Sequence, residues 1–488
     1  MIFSKARLRD KILGGWIGKN IGGTIGTPYE GMQDILDVKG FTNEKGAPLP
    51  NDDLDLQLAW LRCVDEVGPE HVNAKTLGEY WLSFVKPHWN EYGVCKSNMR
   101  SGFLPPISGE LFNSQWQHSN GAWIRTEIWA SLYPGHVEKA IRYAFEDASV
   151  DHGFGEGTYA AIFVAALESA AFVFTDLELL IRIGLSKIPE DSRISKAVRL
   201  VCDEYKKGTD WKTVRNMLVE QSEDIGWFQA PANIGYVILG LLYGEGDFKK
   251  SILYAVNCGD DTDCTAATVG AIFGMMRGAS QLPEDWKEHI GDKIVTGSLL
   301  FGHGRFPQSC TELTDCIMNL HGTTLRTSIQ DLYKGLKVDY KDEDDFSSVT
   351  PESMMGTKFI DTLKRRTRYS LSEKTALAEA FVNFDTAPVI SMEKPLTGYI
   401  FVMPHTVPEC RIWRIRWILP EGWSIQGRSA VATNNRHWIA YETNGEDCTA
   451  KFTITCSQKP EPINHLILDL SATDRPTHIM IPVAVLGE

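Results

Sequence analysis

The chain has 488 residues, too many for one ordinary core, so two or three domains are expected. Its 43% hydrophobic and 23% charged residues are an ordinary globular balance, neither disordered nor coiled-coil. A formal net charge of −14 repels a phosphate backbone, so no nucleic acid is expected as a partner, whereas a small anionic substrate held through bound cations is compatible with it.

Met1 to Asp10 leads straight into a helical pattern, without an apolar core followed by a small-residue cleavage site, so no secretory signal is expected. No stretch approaches the ~20 unbroken apolar residues of a membrane helix. The ten cysteines are scattered, with no CxxC and no paired spacing. That usage fits reduced thiols, and the expectation is a cytoplasmic protein without membrane contact.

From about Lys5 to Thr323 the apolar spacing is helical almost throughout. No alternation of strand and helix appears, which argues against a parallel-sheet fold. The first helix carries Gly14, Gly18, Gly22 and Gly26, one every four residues and therefore on one face. Such a face admits another backbone at very short range, at a cost in helix propensity of about 1 kcal/mol per glycine. Asn51-Asp52-Asp53 then opens a helix just after Pro50. A cap and a favourable dipole need only one such residue. Three oxygen-bearing side chains in a row exceed that need and leave room for a metal.

Further along, Ala160–Ala171 is apolar nearly all round, as in a helix inside a helical domain, and Asn233–Tyr243 and Ala266–Met276 read the same way. Gly259-Asp260-Asp261-Thr262-Asp263-Cys264 precedes a second glycine stripe, Gly270, Gly274 and Gly278. Three carboxylates within four residues repel one another unless cations or donors neutralise them. A hard divalent cation takes carboxylate, hydroxyl and water oxygens. Packing of the two striped helices would bring the segment after the first stripe and the segment before the second to a common centre. Tyr29, Trp116, Trp123, Trp227 and Phe228 are candidates to stack a purine, although such aromatics more often fill a core.

After Leu336 the composition shifts. Lys341-Asp342-Glu343-Asp344-Asp345 reads as a solvated connector, with some helix over Asp361–Thr367. From Ala380 the period becomes two. Strands are expected at Tyr399–Met403, Arg411–Trp417, Trp438–Tyr441, Lys451–Cys456, His465–Leu470 and Thr477–Leu486, with a hairpin-type turn at Asn444-Gly445. The fold class is thus multidomain. Residues 1–336 form an all-α domain, 337–379 a connector with partial helix, and 380–488 a small β-sandwich-like domain.

The order of the motifs carries a resemblance. Ile12 to Glu30, with its four-residue glycine spacing and terminal Thr27-Pro28-Tyr29-Glu30, resembles the opening helix and loop of the ADP-ribosylglycohydrolase family. Asn51-Asp52-Asp53 is similar to that family's Thr-Asp-Asp segment, Ser119-Asn120-Gly121 through Arg125 to its Gly-Asn-Gly…Met-Arg segment, and Asp151-His152-Gly153 to its Thr-His segment. Ala255 through Cys264 resembles its Ala-Val-Asn-x-Gly-Gly-Asp-Thr-Asp-Thr signature, and Gly270…Gly274 and Leu282-Pro283…Trp286 follow in order. The likeness covers about residues 8–300. The chain departs from the pattern at Asn51 and Cys264, where the family has threonine, at Asp260 for glycine, and at Gly23 for aspartate. A thiol is a poor partner for a hard cation.

The resemblance implies a hydrolase that cleaves the C1′ bond of an ADP-ribosyl or related ribosyl substrate at a centre of one or two Mg²⁺ or Mn²⁺ ions. It places Asn51, Asp52, Asp53, Asp261, Asp263 and Cys264 at the metal. Glu30 and Asp53 become catalytic, and Asn120, Gly121 and His152 contact the substrate. The C-terminal domain would shape the cleft, select the substrate or mediate oligomer formation. Two rivals stand beside this reading: a hydrolase of another N- or O-glycoside or a nucleoside, and an ADP-ribose binding module without turnover.

Overall fold

The computed structural model describes residues 1–296, 300, 305–325, 339–404, 411–433 and 448–488. The chain forms two compact units. One takes Met1–Glu91 and Ser114–Ile360; the other takes Tyr92–Asn113 and Asp361–Glu488. The composition marks a division only near 336–380 and carries no signal for the early segment. Tyr92–Asn113 is helical in pattern like its neighbours, and its attachment lies far away in sequence.

The first unit is helical, as expected. A short parallel pair, β1 (Ile2–Ser4) and β2 (Asp339–Lys341), closes its N-terminal edge. Ser4 caps α1 (Lys5–Gly26), its side chain accepting from Arg7 N. α1 runs antiparallel to the helix Thr262–Arg277, and the glycines explain how. A Cβ on Gly18 would lie 2.1 Å from Gly270 O, and one on Gly270 would lie 2.1 Å from Gly18 O. Gly14 stands in the same relation to Gly274, Gly22 to Ala266 and Gly26 to Thr262. The two backbones therefore touch along the whole stripe with no side chain between them. The second stripe is one glycine shorter than expected, because Gly278 (φ +92°) lies just past the helix end.

The apolar helix Glu156–Ala171 is buried except at its first residue and Tyr159, which agrees with its all-round apolar pattern. On the helix Cys310–Thr324, His321 is 2% exposed and donates Nε2–H to Ser131 O at 2.8 Å. Burial pushes its pKa down to about 4. An unfolded chain keeps a histidine near 6.5, so it takes up the proton first as pH falls. The neutral ring's contribution is thus complete above pH ~6.5 and fades towards pH 4, on the order of 3 kcal/mol in all. Melting curves between pH 7 and 4.5 should fall more steeply for the natural chain than for His321→Gln. Parallel slopes would contradict this account.

The second unit carries two five-stranded sheets. One has the order β3 (Tyr369–Lys374), β4 (Ala378–Phe384), β6 (Leu396–Pro404), β10 (Thr449–Cys456), β8 (Trp423–Gly427). The other has the order β5 (Val389–Ile390), β12 (His478–Gly487), β11 (Ile463–Ala472), β7 (Ile412–Ile418), β9 (Ala430–Ala432). Both contribute to one apolar core: Ala380, Val382, Ile400 and Ile454 from the first, Trp413, Leu468, Ile481 and Val483 from the second. In β10 the alternation is clean, with Ala450, Phe452, Ile454 and Cys456 inside. Phe103, Ile107 and Leu111 of the early segment join this core.

Five expected strands are observed within a residue or three of their anticipated bounds. β3 is a strand where a connector was expected; its polar run Ser372-Glu373-Lys374 at a sheet edge hides the alternation. The helix there spans Lys358–Leu363, earlier than Asp361–Thr367. Trp438–Tyr441 and the turn Asn444-Gly445 lie outside the described residues. No described helix is long and apolar enough to cross a membrane, and the nine described cysteines are free thiols.

Candidate active site

Because α1 and Thr262–Arg277 touch along their length, the end of the first helix meets the start of the second. Thr262 Oγ1 donates to Gly26 O at 2.8 Å. The loop that follows α1 turns through Thr27–Tyr29 and presents Glu30 at an exposed position. That loop is tied down by the second acidic segment: Gly31 N donates to Asp260 O and Asp260 N to Met32 O. Asn257 adds two bonds to Val38, and Arg215 Nη2 donates to Gln33 O while its Nε donates to Cys258 O.

The third contributor is α2 (Asp52–Val67). Asn51 is its N-cap, with Oδ1 accepting from Asp53 N at 2.8 Å. Asn51 fits there because residue 23 has no side chain: a Cβ on Gly23 would lie 1.9 Å from Asn51 Nδ2. Two of the departures from the family pattern are therefore spatial neighbours, one filling room the other leaves. Asp53 is fully buried; its Oδ1 lies 3.2 Å from Cys264 Sγ and its Oδ2 lies 3.6 Å from Lys19 Nζ.

Two sets of ligand atoms each lie within 4.8 Å of one another: Asp53, Asp263 and Cys264, and Glu30, Asp261 and Asp263. Asp263 belongs to both. Among the described residues, Asp53 Oδ2, Asp261 Oδ1 and Asp263 Oδ1 are buried without a hydrogen-bond partner. Buried carboxylate oxygens left unpaired are costly. The acids also oppose one another. The Asp263 charge, then partial loss of water and Asp52, raise the Glu30 carboxyl to about 8. Burial and then Asp263 raise Asp52 to about 7. Burial pushes Asp261 and Asp53 well above the usual carboxylate range, against the pull of Lys19 on Asp53. A cation among these oxygens would satisfy the orphaned atoms and remove the repulsion, so the donor set fits a hard divalent ion.

Asp260, which stands where the family has glycine, has its side chain engaged away from the other acids. Its Oδ1 accepts from Phe228 N (2.9 Å) and its Oδ2 from Asn233 Nδ2 (2.8 Å), with the backbone at φ +68°. It is a tie between three segments rather than a ligand.

Asn120 donates Nδ2–H to Asp261 Oδ2 at 2.7 Å and accepts from Trp123 Nε1 at 3.1 Å. It thus aims Asp261, and Trp123 is core, not a stacking surface. Gly121 and His152 stand behind. A Cβ on Gly121 would lie 2.4 Å from Glu91 Oε1 and 3.3 Å from His152 Cε1. His152 is 0% exposed, with Nε2 2.8 Å from Ser119 Oγ and Nδ1 2.9 Å from Asp151 Oδ1. Expected at the substrate, it offers no surface to one in this conformation. Arg125 completes the support. It bonds Asp147 and both oxygens of Asp151, and its Nη1 donates to Gly121 O. The motifs Ser119–Arg125 and Asp151-His152 are thus one buried scaffold that fixes the position of Asn120.

Sequence reasoning missed Lys19, Gln57, Glu91, Glu127, Glu168 and Asn233. Lys19 Nζ donates to Glu127 Oε1 (2.7 Å) and Ile124 O (2.8 Å), and Gln57 donates to Glu127 Oε2 (2.8 Å). Thr126 Oγ1 donates to Glu168 Oε2 (2.9 Å). Burial alone would lower the lysine's pKa, but Glu127 and Asp53 outweigh it and hold it above the ordinary value. The available signal was a charged residue in a pattern read as buried: Lys19 between two stripe glycines, and Glu168 alone in the apolar run Ala160–Ala171.

A family model described as ADP-ribosylglycohydrolase matches residues 4–317. Two curated relatives called ADP-ribosylarginine hydrolase Tri1 are similar over 62 residues. The one from Serratia proteamaculans (strain 568) is 37% identical and the one from Pseudomonas putida (strain GB-1) 36% identical, over 12% of this chain and 17% of each relative. The chain therefore spans less than a fifth of the length of the curated relatives it matches. Among solved structures, an "ADP-ribosylglycohydrolase-related protein complex" is similar at a TM-score of 0.44 and 18% identity, over 65% of this chain and 99% of that one.

Proposed function

The chain belongs to the ADP-ribosylglycohydrolase family, and from that premise we propose that it is a divalent-metal-dependent glycoside hydrolase cleaving the C1′ bond of an ADP-ribosyl or related ribosyl substrate. The observation that carries the reading is that two ligand sets share Asp263, one through Asp53 and the other through Asp261 and an exposed Glu30, with Asp53 Oδ2, Asp261 Oδ1 and Asp263 Oδ1 buried and without a hydrogen-bond partner. Asp52, Asp53, Asp261 and Asp263 would hold Mg²⁺ or Mn²⁺, with Glu30 alongside and Asn51 and Cys264 at the edge. When bound, such an ion orients substrate hydroxyls and lowers the pKa of a water.

The chain's own groups supply the rest. Cleavage of a glycosidic C1′ bond passes through an oxocarbenium-like state, which needs negative charge nearby and a water on hand. Glu30 is exposed on a loop anchored at Gly31 and Met32, so its carboxylate can take the attacking water's proton. Asn120 keeps Asp261 pointed at the centre, and the buried scaffold of Arg125, Asp151 and His152 keeps Asn120 in place.

The test is release of ADP-ribose from modified arginine, serine or thymidine, with and without Mg²⁺ or Mn²⁺. Chelation should abolish release and added ion restore it. Asp261→Ala and Asp52→Ala should each lower ion content, measured by elemental analysis of the folded protein. Unchanged ion content in both would remove the metal centre from the reading. Release of free base from nucleosides, with none from ADP-ribosyl substrates, would favour the other-glycoside reading. Calorimetric binding of ADP-ribose without turnover of any glycoside would make the protein a binding module.

A further inference from the structure

The two candidate ion positions are not equivalent, and the difference lies in α1. The set Glu30, Asp261 and Asp263 contains only carboxylates. The set Asp53, Asp263 and Cys264 contains a thiol, and Asp53 faces that thiol on one oxygen and an ammonium, beyond hydrogen-bond range, on the other. Cys264 Sγ is 3.2 Å from Oδ1, and the ammonium of Lys19 is 3.6 Å from Oδ2.

Lys19 cannot swing away. Its side chain is 1% exposed, and Nζ is held by Glu127 Oε1 and Ile124 O, which fixes the charge in space. Glu127 is itself held by Gln57 Nε2. An ion bonded to Asp53 Oδ2 at the ~2.1 Å usual for Mg²⁺ would lie within ~6 Å of that ammonium, inside a region almost without water. Two positive centres that close, in a medium of low dielectric, repel strongly.

We propose that the Lys19 ammonium takes the place of one of two cations, so that this centre holds a single divalent ion, on the Glu30, Asp261 and Asp263 side. The inference rests on the proposed reading of the centre as a metal site. In it Lys19 is a positioning residue: it neutralises Asp53 from behind, so that Asp53, a ligand only where a second ion is present, leaves Asp263 to the one ion. The thiol at 264, a poor ligand for a hard cation, is then tolerated because no ion depends on it.

Titration of the full chain with Mn²⁺ alone, followed by calorimetry and low-temperature EPR, tests this. The natural chain should take up one ion and show the signal of an isolated Mn²⁺. Lys19→Met should take up a second, at least tenfold more tightly than the natural chain does, with the appearance of a spin-coupled pair. Lys19→Arg should stay at one ion. Cys264→Thr should also stay at one, because the ammonium remains. Two ions of similar affinity in the natural chain, or in Cys264→Thr, would overturn the proposal whether or not Lys19→Met folds. A folded Lys19→Met with one ion would overturn it too. Uptake of no ion would overturn the metal centre itself, whereas one ion without hydrolysis would defeat the proposed activity and leave this inference standing.

Discussion

Glu30→Gln is expected to lower turnover by about 10²–10⁴-fold, the range typical for loss of a general base. The substitution keeps size and shape, and the residue is exposed, so the fold should be unaffected. The loop is held by backbone bonds at Gly31 and Met32 that do not involve the side chain. What changes is the capacity to accept a proton. Glu30 also lies among the oxygens of one candidate ion position, and a ligand role would give a different result. Loss of turnover with Mn²⁺ uptake intact identifies a base; loss of both identifies a ligand. Undiminished turnover would remove Glu30 from the mechanism. Single-turnover measurements at saturating ion separate these results.

The second large effect is on folding. Gly18→Ala should destabilise the chain by about 3 kcal/mol, the upper end of what overpacking usually costs, and Gly18→Val should leave little folded protein. The added Cβ would lie 2.1 Å from a carbonyl oxygen of the facing helix, and backbone cannot yield as the tip of a flexible side chain can. Relief requires the two helices to part, and parting them moves Asp261 and Asp263 away from Asp53. Activity should therefore fall further than stability alone would explain. Gly322→Ala is the control: it lies in the helix Cys310–Thr324 with nothing within 4 Å of the new Cβ. It should be neutral or stabilising by up to about 1 kcal/mol. Chemical denaturation of the three variants decides the matter; an unperturbed Gly18→Ala would mean that the helices do not touch as described.

Much of this is legible in the sequence alone. The four-residue glycine spacing reports its own cause, since only close approach of another backbone justifies glycine at each of those positions. It leads to the approach of the Glu30 loop to the Asp261 and Asp263 segment; placing Asp52 and Asp53 there took the order of the motifs. The strands of the second unit were legible where one face is buried and the other wet, as in β10, and illegible in β3, where an edge position relaxes that contrast. Roles that depend on orientation were out of reach. Asp260 and Asp261 are adjacent acids that chemistry alone does not tell apart and only the family resemblance separates, yet one ties loops together and the other faces the centre. His152 carries the right chemistry for a ligand contact, but packing turns it inward. Lys19 stands out as a charge beside the glycine stripe, but its partners are unknown until the facing elements are.

The segment Tyr92–Asn113 has a consequence for how the protein is made. Its apolar residues Phe103, Ile107 and Leu111 leave the ribosome about 250 residues before the first strand they will pack with. At bacterial to eukaryotic elongation rates that interval is roughly 12–50 s. For that time the nascent polypeptide carries an uncovered greasy stretch in its middle, a natural station for a holding chaperone. A gene cut after Ile360 would make the wait permanent, and its product should precipitate however well its helices are formed.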